Sequence, residues 1–433
     1  MMAKIGSFFK RTMVRRIIFT LLVLFVYRFG SLLPVPFINQ AAWQQSFAKQ
    51  DGSIFDFLNM LGGGAFKQFS IFALSVSPYI TASIVVQLLS QDVLPTLTRW
   101  QKEGVNGKRK RGTLTRILAL VLGFTQGLAL AISYNISDGG KLLTVGGNYM
   151  IFVYVALILT AGTAVLMWLG DMITKHGIGN GVSMIILSGI ISQLPNQIID
   201  IWTHFSGEGS NFSNGELLSI AMYLFLLIMM VIVVYMQEAE RRIPIQYTNA
   251  TMLSKVKKSV TYLPLKLNSA GVIPVIFANA IVTLPLTISS LFFKDSVQGQ
   301  WIMQNLRMTE VGSIGFALYL LLTFFFTYFY SFIQIDPEKV AENLGKQNSF
   351  IPGVRPGKET QSYVSKVLWR ITTIGAIYLT VLVALPVLLE HVLGVKIALG
   401  GTSIIILTGV ALETVRQMRN QSTVQKYTNY LED

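Results

Sequence analysis

The chain has 433 residues, 52% of them hydrophobic and only 13% charged, with a mean hydropathy of +0.55; soluble domains carry roughly 45 to 50% apolar and about 25% charged residues. That composition excludes an ordinary soluble domain and marks an integral membrane protein. The absence of cysteine excludes disulfides, thiol catalysis and cysteine-bound metals within the chain, and the net charge of +14 calls for an explanation in topology or in an anionic partner.

Ten apolar runs, each near the 20 or so residues that a membrane helix needs, fall at about 17–35, 75–90, 113–136, 149–170, 181–197, 216–237, 270–293, 312–335, 367–389 and 398–415. The first follows a basic amino terminus with no small-residue cleavage site after it, and reads as a retained helix. Between the first two lies FLNMLGGGAF, Phe57 to Phe66. It is too apolar for water and, at about 1.5 Å per helical residue, too short to cross a hydrocarbon core of about 30 Å.

The second run, SVSPYITASIVV at 75–86, shares Val, Pro, Ile, Ala and a final Val in register with GVIPVIFANAIV at 271–282 in the seventh. Such a repeat predicts two halves of five helices, 1–200 and 201–433, inserted with opposite orientation, and inverted repeats place a pathway where they meet. Cytoplasmic loops are expected at about 238–267 and 336–366.

Orientation follows from the basic residues. Of the 35 lysines and arginines, 28 lie at the amino terminus, after even-numbered spans and in the tail, six lie on the other side, and Arg28 lies within the first span. Both termini are therefore expected in the cytoplasm. The same asymmetry accounts for most of the net charge, and the long basic loops remain able to dock ribosomal RNA, acidic lipid or an acidic protein.

Chemistry is excluded more firmly than binding. There is no HExxH or GxSxG, the three histidines lie far apart, and GIGNG at 177–181 is neither GxGxxG nor a phosphate loop. Neither enzymatic turnover, a metal nor a cofactor is expected. A solute transporter keeps ionisable groups inside its spans, yet the span interiors are nearly empty of them: Arg28 is the main exception, and Asp171, Glu238 and Glu413 fall at span ends. Arg28 reads as an interfacial anchor or a partner for backbone carbonyls. Aliphatic residues share helix faces instead: Val76, Ile80 and Gln87 in one span, Val182 and Ile186 in another. Such a stripe is either core packing or a hydrophobic constriction.

Five stretches carry a family resemblance: PYITASIVVQLL at 78–89, GIGNGVSMII at 177–186, LPLKLNSAGVIPVIF at 263–277, FIPGVRPG at 350–357 and GGTSIII at 400–406. In order and spacing they resemble bacterial SecY, the family of channel subunits of the protein translocon, from the first span to the tenth. The resemblance implies an all-α polytopic fold of ten helices in two inverted halves, with an hourglass pore and an opening towards lipid. The half-span between the first two runs becomes a re-entrant plug: Ser53, Ile54, Phe55, Asp56, Phe57, Leu58, Asn59, Met60, Leu61, Gly62, Gly63, Gly64 and Ala65. Ser53 is suited to cap it and the glycines to end it.

Carried over position by position, the pore ring falls on Val76, Ile80, Val182, Ile186, Ile276 and Ile406, with valine at two positions where isoleucine is common in the family. Gln87 and Asn279 are the polar candidates for the lateral gate, at different depths. Arg355, between two prolines, matches the arginine that engages the SecA motor or the ribosome. Lys255, Lys257 and Lys258 keep positive charge in a loop whose QYTNATMLSKVKK departs from the family's arginine-rich pattern. The implied function is passage of unfolded secretory chains across the bacterial cytoplasmic membrane and lateral release of membrane spans, with SecE, SecG, signal peptides and the bilayer as partners. The competing readings are a secondary transporter of a small solute and a scaffold subunit without a pore.

Overall fold

The computed structural model describes residues 12–48, 59–91, 94–137, 149–205, 215–247, 261–292, 296–308, 310–394 and 401–432. Helix dominates them, as lipid demands: a helix satisfies its own N–H and C=O groups where no water can. A helix stands in each of the ten apolar places: α1 (Thr12–Ser31), α3 (Ser77–Leu89), α5 (Val105–Ser137), α6 (Tyr149–His176), α7 (Gly181–Phe205), α8 (Gly215–Glu238), α9 (Ile273–Phe292), α11 (Ile314–Gln334), α13 (Lys358–Leu393) and α14 (Gly401–Glu432). Between them lie the shorter α2 (Gln40–Ala48), α4 (Pro95–Lys102), α10 (Val297–Asn305) and α12 (Pro337–Lys346).

Among the described residues six helices are long and apolar enough to cross a membrane by themselves, namely α5 to α8, α11 and α13. The second run, expected at 75–90, forms a helix too short to cross a membrane by itself. α3 has 13 residues, about 20 Å of rise, because Pro78 occupies its first turn and Ser75, at φ +52°, turns the chain sharply just before it.

Contacts divide the chain into two compact units, Met1–Asp200 with Thr283–Thr309 and Val410–Asp433, and Ile201–Val282 with Glu310–Gly409. This partition by compactness shares the boundary at 200/201 with the expected halves but groups two later segments with the first unit; it measures packing, not pseudo-symmetry.

In the first unit α5 and α6 approach closely because Gly127 faces the backbone of Ala156, where an added Cβ would sit 3.4 Å from the Ala156 Cα. Below the ends of these helices lies an aromatic core. Trp43 of α2 is fully buried and meets Phe66 and Phe69 edge to face at 5.4 and 4.5 Å, while its Nε1 donates to the Phe66 carbonyl at 3.0 Å. Val35, Leu74, Phe152, Val155 and Leu159 close the cluster.

The second unit contains an element that the all-α expectation did not include. β1 (Glu240–Tyr247), β2 (Thr261–Lys266) and β3 (Ser349–Phe350) form an antiparallel sheet in the order β2-β1-β3, with Ile243 opposite Leu263. This stretch was expected as basic loop; alternation makes it strand, since Ile243 and Ile245 are buried while Arg242, Pro244 and Gln246 are exposed. Pro244 is tolerated because β3 pairs only with Gln246 and Tyr247, so no ladder bond is required on that side of it. Ile243, Ile245 and Leu265 pack with Leu344 of α12 and with Ile351, Val364 and Ile371, so the sheet is welded to α13.

α12 starts at a capping carboxylate: Asp336 accepts from the N–H groups of Glu338 and Lys339 at 3.1 and 3.5 Å and pairs with Lys339 Nζ at 3.0 Å. Burial pushes its carboxyl up, but these hydrogen bonds and the Lys339 charge outweigh burial and hold it below the usual carboxylate range. A depressed carboxylate stabilises the fold above its unfolded value and loses that effect as pH falls through the lower folded value.

Two measurements follow from this packing. Trp43→Ala removes the largest buried side chain and is expected to destabilise the first unit by about 3 to 5 kcal/mol, read as a lower thermal midpoint of the purified protein. Asp336→Ala is expected to cost about 1 kcal/mol at neutral pH, and its midpoint difference from the parent should shrink on acidification below about pH 4. A difference independent of pH would show that the charge of Asp336 contributes nothing.

Candidate functional site

Residues 59–61 are helical, and the chain then winds through successive turns to Ser75 before α3 begins. Non-helical backbone leaves carbonyls that lipid cannot satisfy, and here each of three consecutive ones has a side-chain donor. The Leu61 oxygen accepts from Ser75 Oγ at 3.2 Å and the Gly62 oxygen from the Tyr27 hydroxyl at 3.0 Å. The Gly63 oxygen accepts from Arg28 Nη1 at 2.6 Å and from Ser192 Oγ at 3.3 Å.

Glycine is required at this place on two counts. Gly63 and Gly64 have φ of +64° and +90°, a left-handed conformation that other residues rarely adopt. A Cβ on Gly63 would also lie 2.7 Å from the Cα of Gly189 in α7. The turn is closed by Gly64 N–H on the Asn59 carbonyl at 2.9 Å and by Lys67 N–H on Asn59 Oδ1 at 2.9 Å. Met60, Leu61, Gly62, Gly63 and Ala65 are buried. Ser53, Ile54, Phe55, Asp56, Phe57 and Leu58 lie outside the described residues.

Arg28 thus has a carbonyl partner, one of the two roles open to it from the sequence. Tyr27, Ser75 and Ser192 were not singled out there. Their hydroxyls sit in apolar runs with no local pattern, and only the fold brings them to residues 61–63, which are 35 and 129 positions away for Tyr27 and Ser192.

Five of the six aliphatic candidates occupy the first two turns of four helices, and the sixth lies just before one of them. Val76 precedes α3 as its cap residue and Ile80 lies one turn on, with its N–H on the Val76 carbonyl at 3.0 Å. Val182 and Ile186 open α7, Ile276 opens α9, and Ile406 lies in the second turn of α14. Val76, Ile186 and Ile406 are buried, while Ile80, Val182 and Ile276 are half-buried. The first four belong to the first compact unit and Ile276 and Ile406 to the second.

The GIGNG turn positions Val182. Ile178 N–H donates to Thr20 Oγ1 at 3.0 Å, Gly179 N–H to Gln417 Oε1 at 3.1 Å, and Gly181 N–H to Thr174 Oγ1 at 2.9 Å. Those donors are spent within the protein, so the turn offers no cradle for a phosphate. A Cβ on Gly181 would overlap the Gly170 carbonyl, which is why the turn sits so tightly on α6.

Gln87 is half-buried near the end of α3, and Asn279 is buried in the second turn of α9; they belong to different units. Arg355 lies in an exposed tip after β3, between Gly353 at φ +82° and Gly357 at φ +98°. The tip is shaped by Val354 N–H on the Ile351 carbonyl at 3.1 Å and by Thr360 Oγ1 on the Arg355 carbonyl at 2.8 Å. Buried Ile351 roots it in the sheet core, so the guanidinium projects from a rigid platform. Arg241 and Lys358 are exposed in the same unit. Lys255, Lys257 and Lys258 lie outside the described residues, and among those described no three histidine, aspartate or glutamate side chains cluster as a metal site would require.

Comparison with known proteins gives one answer. A family model described as SecY matches residues 70–415. The "Protein translocase subunit SecY" of Bacillus subtilis (strain 168) is 43% identical, with 100% of both chains covered. Among solved structures, one described as "The structure of a protein conducting channel" aligns at a TM-score of 0.65 and 16% identity, covering 95% of this chain and 93% of that one. The chain described as "Sec61 in the Canine ribosome-channel complex from the endoplasmic reticulum" aligns at a TM-score of 0.62 and 15% identity, covering 95% and 93%.

Proposed function

This chain belongs to the SecY family, and from that premise we propose that it is the pore-forming subunit of a protein-conducting channel in the bacterial cytoplasmic membrane. It passes unfolded secretory polypeptides across and releases apolar spans sideways into lipid. The observation that carries the reading is the non-helical segment at 62–76 with its left-handed glycines, seated among apolar helices, where the carbonyls of Leu61, Gly62 and Gly63 each meet a side-chain donor. Irregular backbone at that depth belongs inside protein or along a wet cavity.

A solute carrier has no comparable support. The charge inside the first span, Arg28, already holds Gly63, and Asp171 pairs with Arg116 at 2.6 Å, both side chains exposed.

In this reading Ser53 to Ala65 is the plug, and Val76, Ile80, Val182, Ile186, Ile276 and Ile406 form the ring where two inverted halves, 1–200 and 201–433, face each other. Aliphatic side chains close around any sequence and offer no ligand to small ions, so they seal by dewetting. Gln87 and Asn279 flank the lateral gate. An apolar signal segment intercalating there gains about 25 cal/mol per Å² of buried surface, and because it binds the open arrangement better it shifts the population towards it. No covalent step is involved. The motor SecA or a translating ribosome docks on the basic loops through Arg355, Lys255, Lys257 and Lys258, SecE and SecG complete the complex, and both termini face the cytoplasm.

The natural absence of cysteine makes the test direct. A cysteine at Ile276 is expected to form a disulfide with a cysteine in a stalled secretory chain, in a signal-dependent way, while a cysteine at lipid-exposed Phe25 does not. No cross-link at Ile276, Ile80 or Ile406 in a folded protein with a competent substrate would make the aliphatic residues core packing. Arg355→Glu is expected to weaken motor or ribosome binding by about ten-fold, roughly 1.4 kcal/mol; unchanged affinity would remove Arg355 from the docking surface.

A further inference from the structure

We propose that Arg28 is a latch, a positioning residue whose guanidinium holds the channel in its resting state by gripping the hinge of the segment at 59–65. The proposal rests on reading that segment as the plug. A guanidinium within a membrane span is costly unless it is paired, and its Nη1 lies 2.6 Å from the Gly63 carbonyl, at charge-assisted length. Ser31 accepts from the same nitrogen at 3.4 Å and donates its own proton to the Arg28 carbonyl at 2.7 Å, which orients the arginine.

The grip falls on the glycine turn of this segment. Downstream, Phe66 is fully buried and its carbonyl is held by Trp43, so that end is fixed. Upstream, residues 59–61 form the helical end of the segment read as the plug. Between them, Gly63 and Gly64 sit in left-handed backbone that glycine leaves at little steric cost. Tyr27 and Arg28, adjacent on α1, take the carbonyls of Gly62 and Gly63, and Ser192 takes the second lone pair of Gly63 from α7. Rotation of the hinge breaks these bonds together and leaves the guanidinium without its acceptor, which biases the hinge towards the closed setting. Arg28 is the strongest member because it alone is charged.

The test uses the complete translocase in proteoliposomes and reads resting ion conductance together with the ratio of signal-defective to signal-bearing substrate transported. Arg28→Met is expected to raise both by about ten-fold or more, as loss of a charged hydrogen bond implies. Arg28→Lys, which keeps a cationic donor, should recover part of the effect, and Ser192→Ala should give a smaller rise. Phe25→Ala, on the exposed face of the same helix, is the control for helix packing.

Deletion of 53–58 tests the plug reading separately. If the deletion raises conductance but Arg28→Met, at an unchanged thermal midpoint, does not, the latch is overturned and the plug stands. If the deletion changes nothing, the plug reading falls and the latch with it. If Phe25→Ala matches Arg28→Met, or Arg28→Lys gives no recovery, Arg28 acts through packing and the latch is overturned. Should Arg28→Met fail to accumulate, Arg28→Lys and Ser192→Ala carry the test, and parent-like conductance in both overturns the proposal.

Discussion

Every carbonyl out of reach of water must find a donor, and residues 62–76, just before α3, are where this protein meets that demand without a helix. An unmatched polar group in hydrocarbon costs several kcal/mol, so a chain that stops half-way and turns back needs donors brought from elsewhere. Tyr27, Arg28, Ser75 and Ser192 supply them to Leu61, Gly62 and Gly63. α3 starts where these turns end, after Ser75 at φ +52° and with Pro78 in its first turn. Close packing of α7 follows too, because Gly189 must admit the hinge, and a Cβ there would lie 2.7 Å from the Leu61 carbonyl oxygen.

On the polar side of the membrane the constraint is different. Water satisfies loop backbone, so rigidity has to be built deliberately, and here a hairpin of two strands and α12 share one apolar core with the start of α13. Leu344, Ile351 and Val364 tie the exposed tip carrying Arg355 to a membrane helix. The tip is therefore coupled to α13 through packed side chains instead of through a slack linker. Both arrangements seat irregular backbone beside a buried side chain, Trp43 in one case and Ile351 in the other.

The amino-acid sequence by itself determined the membrane class, the ten helical places and the family, because hydropathy and contiguous motifs such as GIGNGVSMII are local properties that survive without tertiary information. It also marked Arg28 as exceptional, since a charge in an apolar run is visible on sight. The extent of α3 was legible to within two residues, but the sharp turn at Ser75 that precedes it was not, because a positive φ leaves no mark in an apolar run. Nor was the sheet: ERRIPIQY reads first as a charged loop, and its alternation becomes a strand only when β2 and α12 give Ile243 and Ile245 something to bury against. Only the tertiary structure decided which donors meet which carbonyls. Tyr27 lies 35 residues from Gly62 and Ser192 lies 129 from Gly63, and a hydrogen bond reaches about 3 Å, so its partner is set by how the helices pack and not by any pattern along the chain.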